Sequence, residues 1–121
     1  VRTVSGLIHV MLPTVDQARD NTPAKFVDTG IPLLIEEMAA VGANTSNLQA
    51  WIVGGSEMLQ LSSNGDSIGS RNIAMAEQLL ADHGFEIVGS DVGGNHGRSI
   101  QFDPAAEAVS IRTADETTQV I

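Results

Sequence analysis

The chain has 121 residues, 42% of them hydrophobic, which is enough to bury one core and too few for two ordinary domains. Fifteen acidic residues against six basic ones give a net charge of -9, a field that repels phosphate backbones and anionic headgroups and so argues against nucleic acid as a partner. No apolar run approaches the roughly 18 residues a membrane span needs, and no basic start followed by an apolar stretch marks a signal peptide, so neither membrane insertion nor secretion is expected and the cytoplasm is the expected compartment.

Residues 5–12 (SGLIHVML) are apolar on both alternate faces, with Gly6, Ile8 and Val10 on one and Leu7, His9 and Met11 on the other. That pattern predicts a strand covered on both sides and ended by Pro13. Residues 14–23 (TVDQARDNTP) have the polar, breaker-rich composition of a connecting loop. Next, Val27, Ile31, Leu34, Ile35, Met38 and Val41 recur at three- and four-residue spacing, which predicts a helix closed by Gly42. Pro32 has no amide to give a helix interior, so the helix is expected to begin near Asp28 or Thr29 with Pro32 in its opening turn.

Residues 48–53 (LQAWIV) read as a buried strand, with Trp51 in the core, stopping at Gly54 and Gly55. A loop containing Asn64-Gly65-Asp66 precedes a second helix with Ser70 as its cap, Ile73, Ala76, Leu79 and Leu80 facing inward, and Gly84 as its stop. Residues 85–92 and 98–102 then read as strands flanking the turn at residues 93–97. Asp103-Pro104 turns into residues 108–112, so the last two strands should form a hairpin. The expected architecture is α/β: a single domain over residues 1–113 with a mixed sheet layered against two main helices, followed by a polar, frayed tail at residues 114–121.

Chemistry has few candidates. With no cysteine there is neither a disulfide framework nor a cysteine zinc site, and His9, His83 and His96 lie too far apart for local metal-ligand spacing, so no metal or cofactor is expected. Gly54-Gly55 suits a close-packed bend better than a phosphate cradle, because no lysine at Walker spacing follows it. Asp91 with Gly93 and Gly94 fits either a substrate or oxyanion loop or a plain hairpin turn. Arg71 and Arg98 could grip acidic groups of a partner or serve as surface and ion-pair residues. Taken alone, His9 between Leu7 and Met11 is more often a core histidine than a catalyst.

Four segments in this order resemble the CheD family: GLIHVMLP at residues 6–13, IPLLIEEM at 31–38, IVGGSEML at 52–59 with IGSRN at 68–72, and DVGGNHGR at 91–98. The resemblance implies a fold like that of cysteine deamidase toxins. It also implies a cytoplasmic protein-glutamine deamidase that converts glutamine to glutamate on methyl-accepting chemotaxis receptors, and some relatives dock a CheC-type phosphatase. It assigns His9 the role of general base. From their residue types alone, Gly54, Gly55, Asp91, Gly93 and Gly94 are the candidate substrate or oxyanion loop. The family's nucleophile is a cysteine in a GSC-type segment on an earlier strand, preceded by a threonine, which would fall upstream of Val1. Ser5 and Thr3 cannot substitute, since on a strand they stand roughly 13 Å or more of rise from His9. The chain by itself is therefore expected to lack deamidase activity. The alternative is a catalytically silent binding module that docks a CheC-type phosphatase or a chemoreceptor.

Overall fold

The computed structural model describes residues 4–15, 22–57, 67–115 and 117–121. The loop expected around Asn64-Gly65-Asp66 and the middle of the loop after Pro13 lie outside the described residues. A short 3-10 turn at Pro23–Lys25 leads into α1 (Val27–Ala40), and a second at Thr45–Asn47 leads into β1 (Gln49–Gly54). They are followed by α2 (Ile68–Asp82), β2 (Glu86–Val92), β3 (Ser99–Asp103), β4 (Ala108–Arg112) and β5 (Thr118–Val120). β1 and β2 pair in parallel, while β3, β4 and β5 form an antiparallel sheet in that order. The result is an α/β domain with both kinds of pairing.

The principal core lies between the helices and the parallel pair. Val27, Ile31 and Leu80 are buried there, with Val10, Ile35, Ala50, Ile52, Met75, Leu79 and Phe85 packed against them. Full burial of a side chain of this size contributes about 1.5–3 kcal/mol, so this cluster dominates the stability of the helical layer. β4 buries Val109 and Ile111 outside that cluster. Trp51 of β1 links the two sheets: its ring lies 6.0 Å from that of Phe102 in β3, tilted by 52°. Its register partner across the parallel pair is Gly89, where a Cβ would stand 2.8 Å from the indole Cδ1. Trp51 is nevertheless half-buried rather than enclosed in the core, and no residue of β1 is fully buried, so the strand expected to be buried is only partly covered.

Four expectations about local structure are corrected. Residues 5–12 are not a strand covered on both sides. Among the described residues this segment makes no ladder, and its only bridge is the parallel pair Leu12↔Phe26. One face packs on α1, since a Cβ at Gly6 would stand 2.7 Å from Leu34 Cδ1, and one at Gly30 would stand 2.9 Å from Ile8 Cδ1. The other face is open, with Leu7 63% and Met11 60% exposed. Period-two hydrophobicity reports which side chains alternate, whereas a strand also needs a partner for its amides and carbonyls.

α1 begins at Val27, so Pro32 sits in its second turn rather than its first. Phe26, fully buried and extended, fixes that start: the Val27 N–H donates to the Leu12 carbonyl at 2.8 Å, and the Phe26 carbonyl accepts from Gly30 N–H at 2.7 Å. The cap of α2 is Ser67, whose hydroxyl oxygen accepts from the Ser70 N–H at 3.0 Å, because α2 starts one turn earlier than its apolar spacing suggests. Finally, Thr118–Val120 is not frayed but pairs with β4, and Ile121 N–H donates to the Val109 carbonyl at 2.9 Å. The connecting turn is tied by Asp115, whose carboxylate accepts from the Thr113 hydroxyl and from the Thr117 N–H. Those bonds, the Thr113 hydroxyl first, lower its pKa to about 2.

Candidate functional site

β1 and β2 run side by side and end together, with Gly54 opposite Val92 in the register. Loops that leave the C-terminal ends of neighbouring parallel strands are where α/β folds most often build a cleft. Here both loops open on paired glycines at positive φ: Gly54 at 110° and Gly55 at 69°, Gly93 at 82° and Gly94 at 75°. Such angles are strained for any residue with a Cβ. The loops are laced together by two backbone hydrogen bonds, Gly93 N–H to the Gly54 carbonyl and Glu57 N–H to the Gly94 carbonyl, each 2.8 Å.

The first turn of α2 closes a third side. Gly69 is buried against the first loop, and a Cβ there would stand 2.7 Å from the Gly55 carbonyl carbon and 2.8 Å from the Ser56 oxygen. A cleft of about 400 Å³ results, lined by Gly55, Glu57, Ser70, Gly93, Gly94 and Asn95. The structure therefore brings Gly54, Gly55, Gly93 and Gly94 together. The amide of Gly93 is occupied by the lacing, whereas those of Gly55 and Gly94 have no acceptor among the described residues. Backbone N–H groups of that kind are the donors a developing oxyanion requires.

Asp91 is half-buried on β2 and is engaged by Arg98, whose Nε lies 3.1 Å from Asp91 Oδ2 and whose Nη2 lies 3.3 Å from Oδ1. Arg98 is thus an ion-pair residue, while Arg71 lies exposed on α2.

His9 is exposed and makes no hydrogen bond among the described residues. It stands on the open face of the N-terminal segment with Leu7 and Met11, outside the cleft lining. The two are nevertheless connected. The Asn72 side-chain amide of α2 donates to the Met11 carbonyl at 3.2 Å, two residues from His9 and two from the cleft residue Ser70. The other side of that segment is fixed by Met11 N–H, which donates to the Lys25 carbonyl at 2.8 Å. The backbone carrying His9 is thereby anchored at its C-terminal end.

Glu57, Ser70, Asn72 and Asn95 were not singled out as site residues from the sequence. Gly69 was the available signal: a glycine at a helix start, where nothing local requires one, marks a close backbone approach. Among the described residues there is no group of three or more His, Asp or Glu side chains arranged to hold a metal, and no helix is long and apolar enough to cross a membrane.

Fold and site together define a small α/β domain with a glycine-built cleft at the ends of two parallel strands and an exposed histidine on a segment tied to the helix that closes it. Residues 11–113 match the family model described as CheD chemotactic sensory transduction, and the chain belongs to that family. It is 47% identical over 113 residues to the probable chemoreceptor glutamine deamidase CheD of Haloarcula marismortui, covering 93% of this chain and 65% of that protein. The corresponding protein of Natronomonas pharaonis is 42% identical over 118 residues, covering 95% of this chain and 71% of its own length. The chemoreceptor glutamine deamidase CheD of Halalkalibacterium halodurans is 36% identical over 120 residues, covering 96% and 74%. The chain thus spans just under two thirds of the Haloarcula relative and somewhat more of the others.

Proposed function

We propose that this chain is the histidine-bearing part of a cytoplasmic protein-glutamine deamidase that converts glutamine to glutamate on methyl-accepting chemotaxis receptors. The observation that carries the reading is His9, presented on an exposed face within the motif residues 6–13 and tied through Met11 and Asn72 to the helix that closes the glycine cleft. Family membership supplies the reaction class, since the relatives bear the name chemoreceptor glutamine deamidase.

A carboxamide is a poor electrophile, and opening it near neutral pH takes a better nucleophile than water. A cysteine thiolate beside an imidazole is one, because the pairing holds the thiol well below its free value of about 8.5. In the proposed cycle the thiolate adds to the glutamine carbonyl, the imidazolium of His9 gives its proton to the departing amine, and ammonia leaves a thioester. The neutral imidazole then takes a proton from the water that hydrolyses the thioester, leaving glutamate and the regenerated thiol. Acid–base roles of this kind are worth roughly 10² to 10⁴-fold in rate. The amides of Gly55 and Gly94, which have no acceptor among the described residues, are the candidates to stabilise the tetrahedral oxygen at each step.

The 121 residues contain no cysteine, so the thiol of this scheme is assigned to a segment other than these residues, and the chain alone is proposed to be inactive. Methyl-accepting receptors are the proposed substrate and a CheC-type phosphatase a proposed docking partner. Ammonia release from a glutamine-bearing receptor fragment provides the test. The purified chain should release none, and the same chain preceded by a cysteine-bearing segment should release it, with a loss of at least about 10²-fold on His9→Ala. Ammonia production by the cysteine-free chain, or full activity of the His9→Ala variant, would overturn the scheme.

A further inference from the structure

Arg98 does not line the cleft, yet it is bonded to the turn that forms one side of it. Its side chain is 3% exposed. Besides the two bonds to Asp91, Nη2 donates to the Gly93 carbonyl at 2.9 Å and Nη1 to the His96 carbonyl at 3.4 Å. A guanidinium holds its donors in a fixed planar fork, so a carboxylate on β2 and two carbonyls of the following turn are set by one rigid group.

The bond to Gly93 has a consequence for the cleft. The Gly93 carbonyl and the Gly94 N–H belong to the same trans peptide unit, so they point in opposite directions from one plane. While the guanidinium holds the carbonyl, the Gly94 N–H is turned away from Arg98, and it is an amide with no acceptor among the described residues. Both residues of this peptide are glycines at positive φ and both line the cleft, so no side chain opposes a rotation of the plane. A rotated plane would offer the cleft a carbonyl in place of a donor.

We propose that Arg98 is a positioning residue that locks the Gly93–Gly94 peptide with its N–H, rather than its carbonyl, available to the amide oxygen of a glutamine substrate. Asp91 holds the guanidinium in place for this task. The assignment rests on the deamidase reading above and deepens it, naming the group that keeps the oxyanion donor oriented.

The test uses the chain preceded by the cysteine-bearing segment of the proposed cycle and measures ammonia release from a receptor fragment. Arg98→Met should lower kcat by about 10²-fold, the usual effect of losing one oxyanion donor, with KM changed by less than about threefold. Arg98→Lys, which keeps the charge but not the fork, should recover part of that loss. Asp91→Asn, which leaves an acceptor for the guanidinium, should lose less than Arg98→Met. The Gly94 amide resonance, followed by NMR, should move in both arginine variants, and Arg98→Lys carries the test should Arg98→Met fail to fold. Unchanged kcat in a folded arginine variant, a loss confined to KM, or an unmoved Gly94 resonance would overturn the role of Arg98 while leaving the deamidase reading standing. A wild-type protein that releases no ammonia would overturn that reading, and this inference with it.

Discussion

At the scale of single residues, two opposed effects meet at Gly69. It lies in the first turn of α2, where alanine is favoured over glycine by about 1 kcal/mol through helix propensity alone. Against that, a Cβ at Gly69 would overlap the Gly55 carbonyl and press on the Ser56 oxygen at 2.8 Å, and both obstacles are backbone rather than the yielding end of a side chain. Overpacking of this kind costs about 1–3 kcal/mol or more, so the clash should outweigh the propensity. Gly69→Ala is expected to lower stability by about 1–2 kcal/mol, read from the urea midpoint, and a neutral or stabilising result would show that α2 does not rest on the Gly55 loop. The sequence made Gly54, Gly55, Gly93 and Gly94 visible because paired glycines beside strands have few uses. Arg98 was visible only as a choice between a partner contact and an ion pair. Spacing along a chain does not disclose that one cation reaches a carboxylate seven residues back and a carbonyl five residues back at once.

At the scale of elements, hydrophobic periodicity located α1, α2 and β1 to β4 but misplaced their ends, and it read a strand at residues 5–12 that has no ladder while missing β5. Starts and stops depend on partners that are distant in sequence: the parallel bridge Leu12↔Phe26 sets where α1 begins, and the Ser67 hydroxyl sets where α2 begins. Pro32 is the sharpest instance. A helix free to choose its start would place the proline in its first turn, but the buried Phe26 fixes the entry and leaves Pro32 where the Asp28 carbonyl would otherwise receive an N–H. Since Pro32 is exposed, replacing it removes no core contact. Pro32→Ala should therefore raise stability by about 1–3 kcal/mol, measured by chemical denaturation. A loss instead would mean that the proline's restriction of the unfolded chain outweighs the missing hydrogen bond.

At the scale of the whole molecule, the N-terminal segment is where a sequence pattern and a three-dimensional environment part company. Residues 5–12 have strand alternation with apolar groups on both sides, yet of residues 6–11 it is the face of Gly6, Ile8 and Val10 that packs on the helical layer. Leu7, His9 and Met11 share the open side, so the face that presents the proposed general base is apolar around it. The two faces should respond differently to substitution in this chain. Leu7→Ser removes an exposed group and should alter stability by less than about 0.5 kcal/mol, as surface changes usually do. Ile8→Ala withdraws methyl groups from a half-buried position against Gly30 of α1 and should cost about 1–2 kcal/mol, below the 2–5 typical of a fully buried isoleucine. Equal costs at the two positions, measured in parallel urea titrations, would mean that the Leu7 side is covered in solution. His9 would then be enclosed by whatever covers it, and the exposed imidazole on which the proposed chemistry depends would not exist in the folded chain.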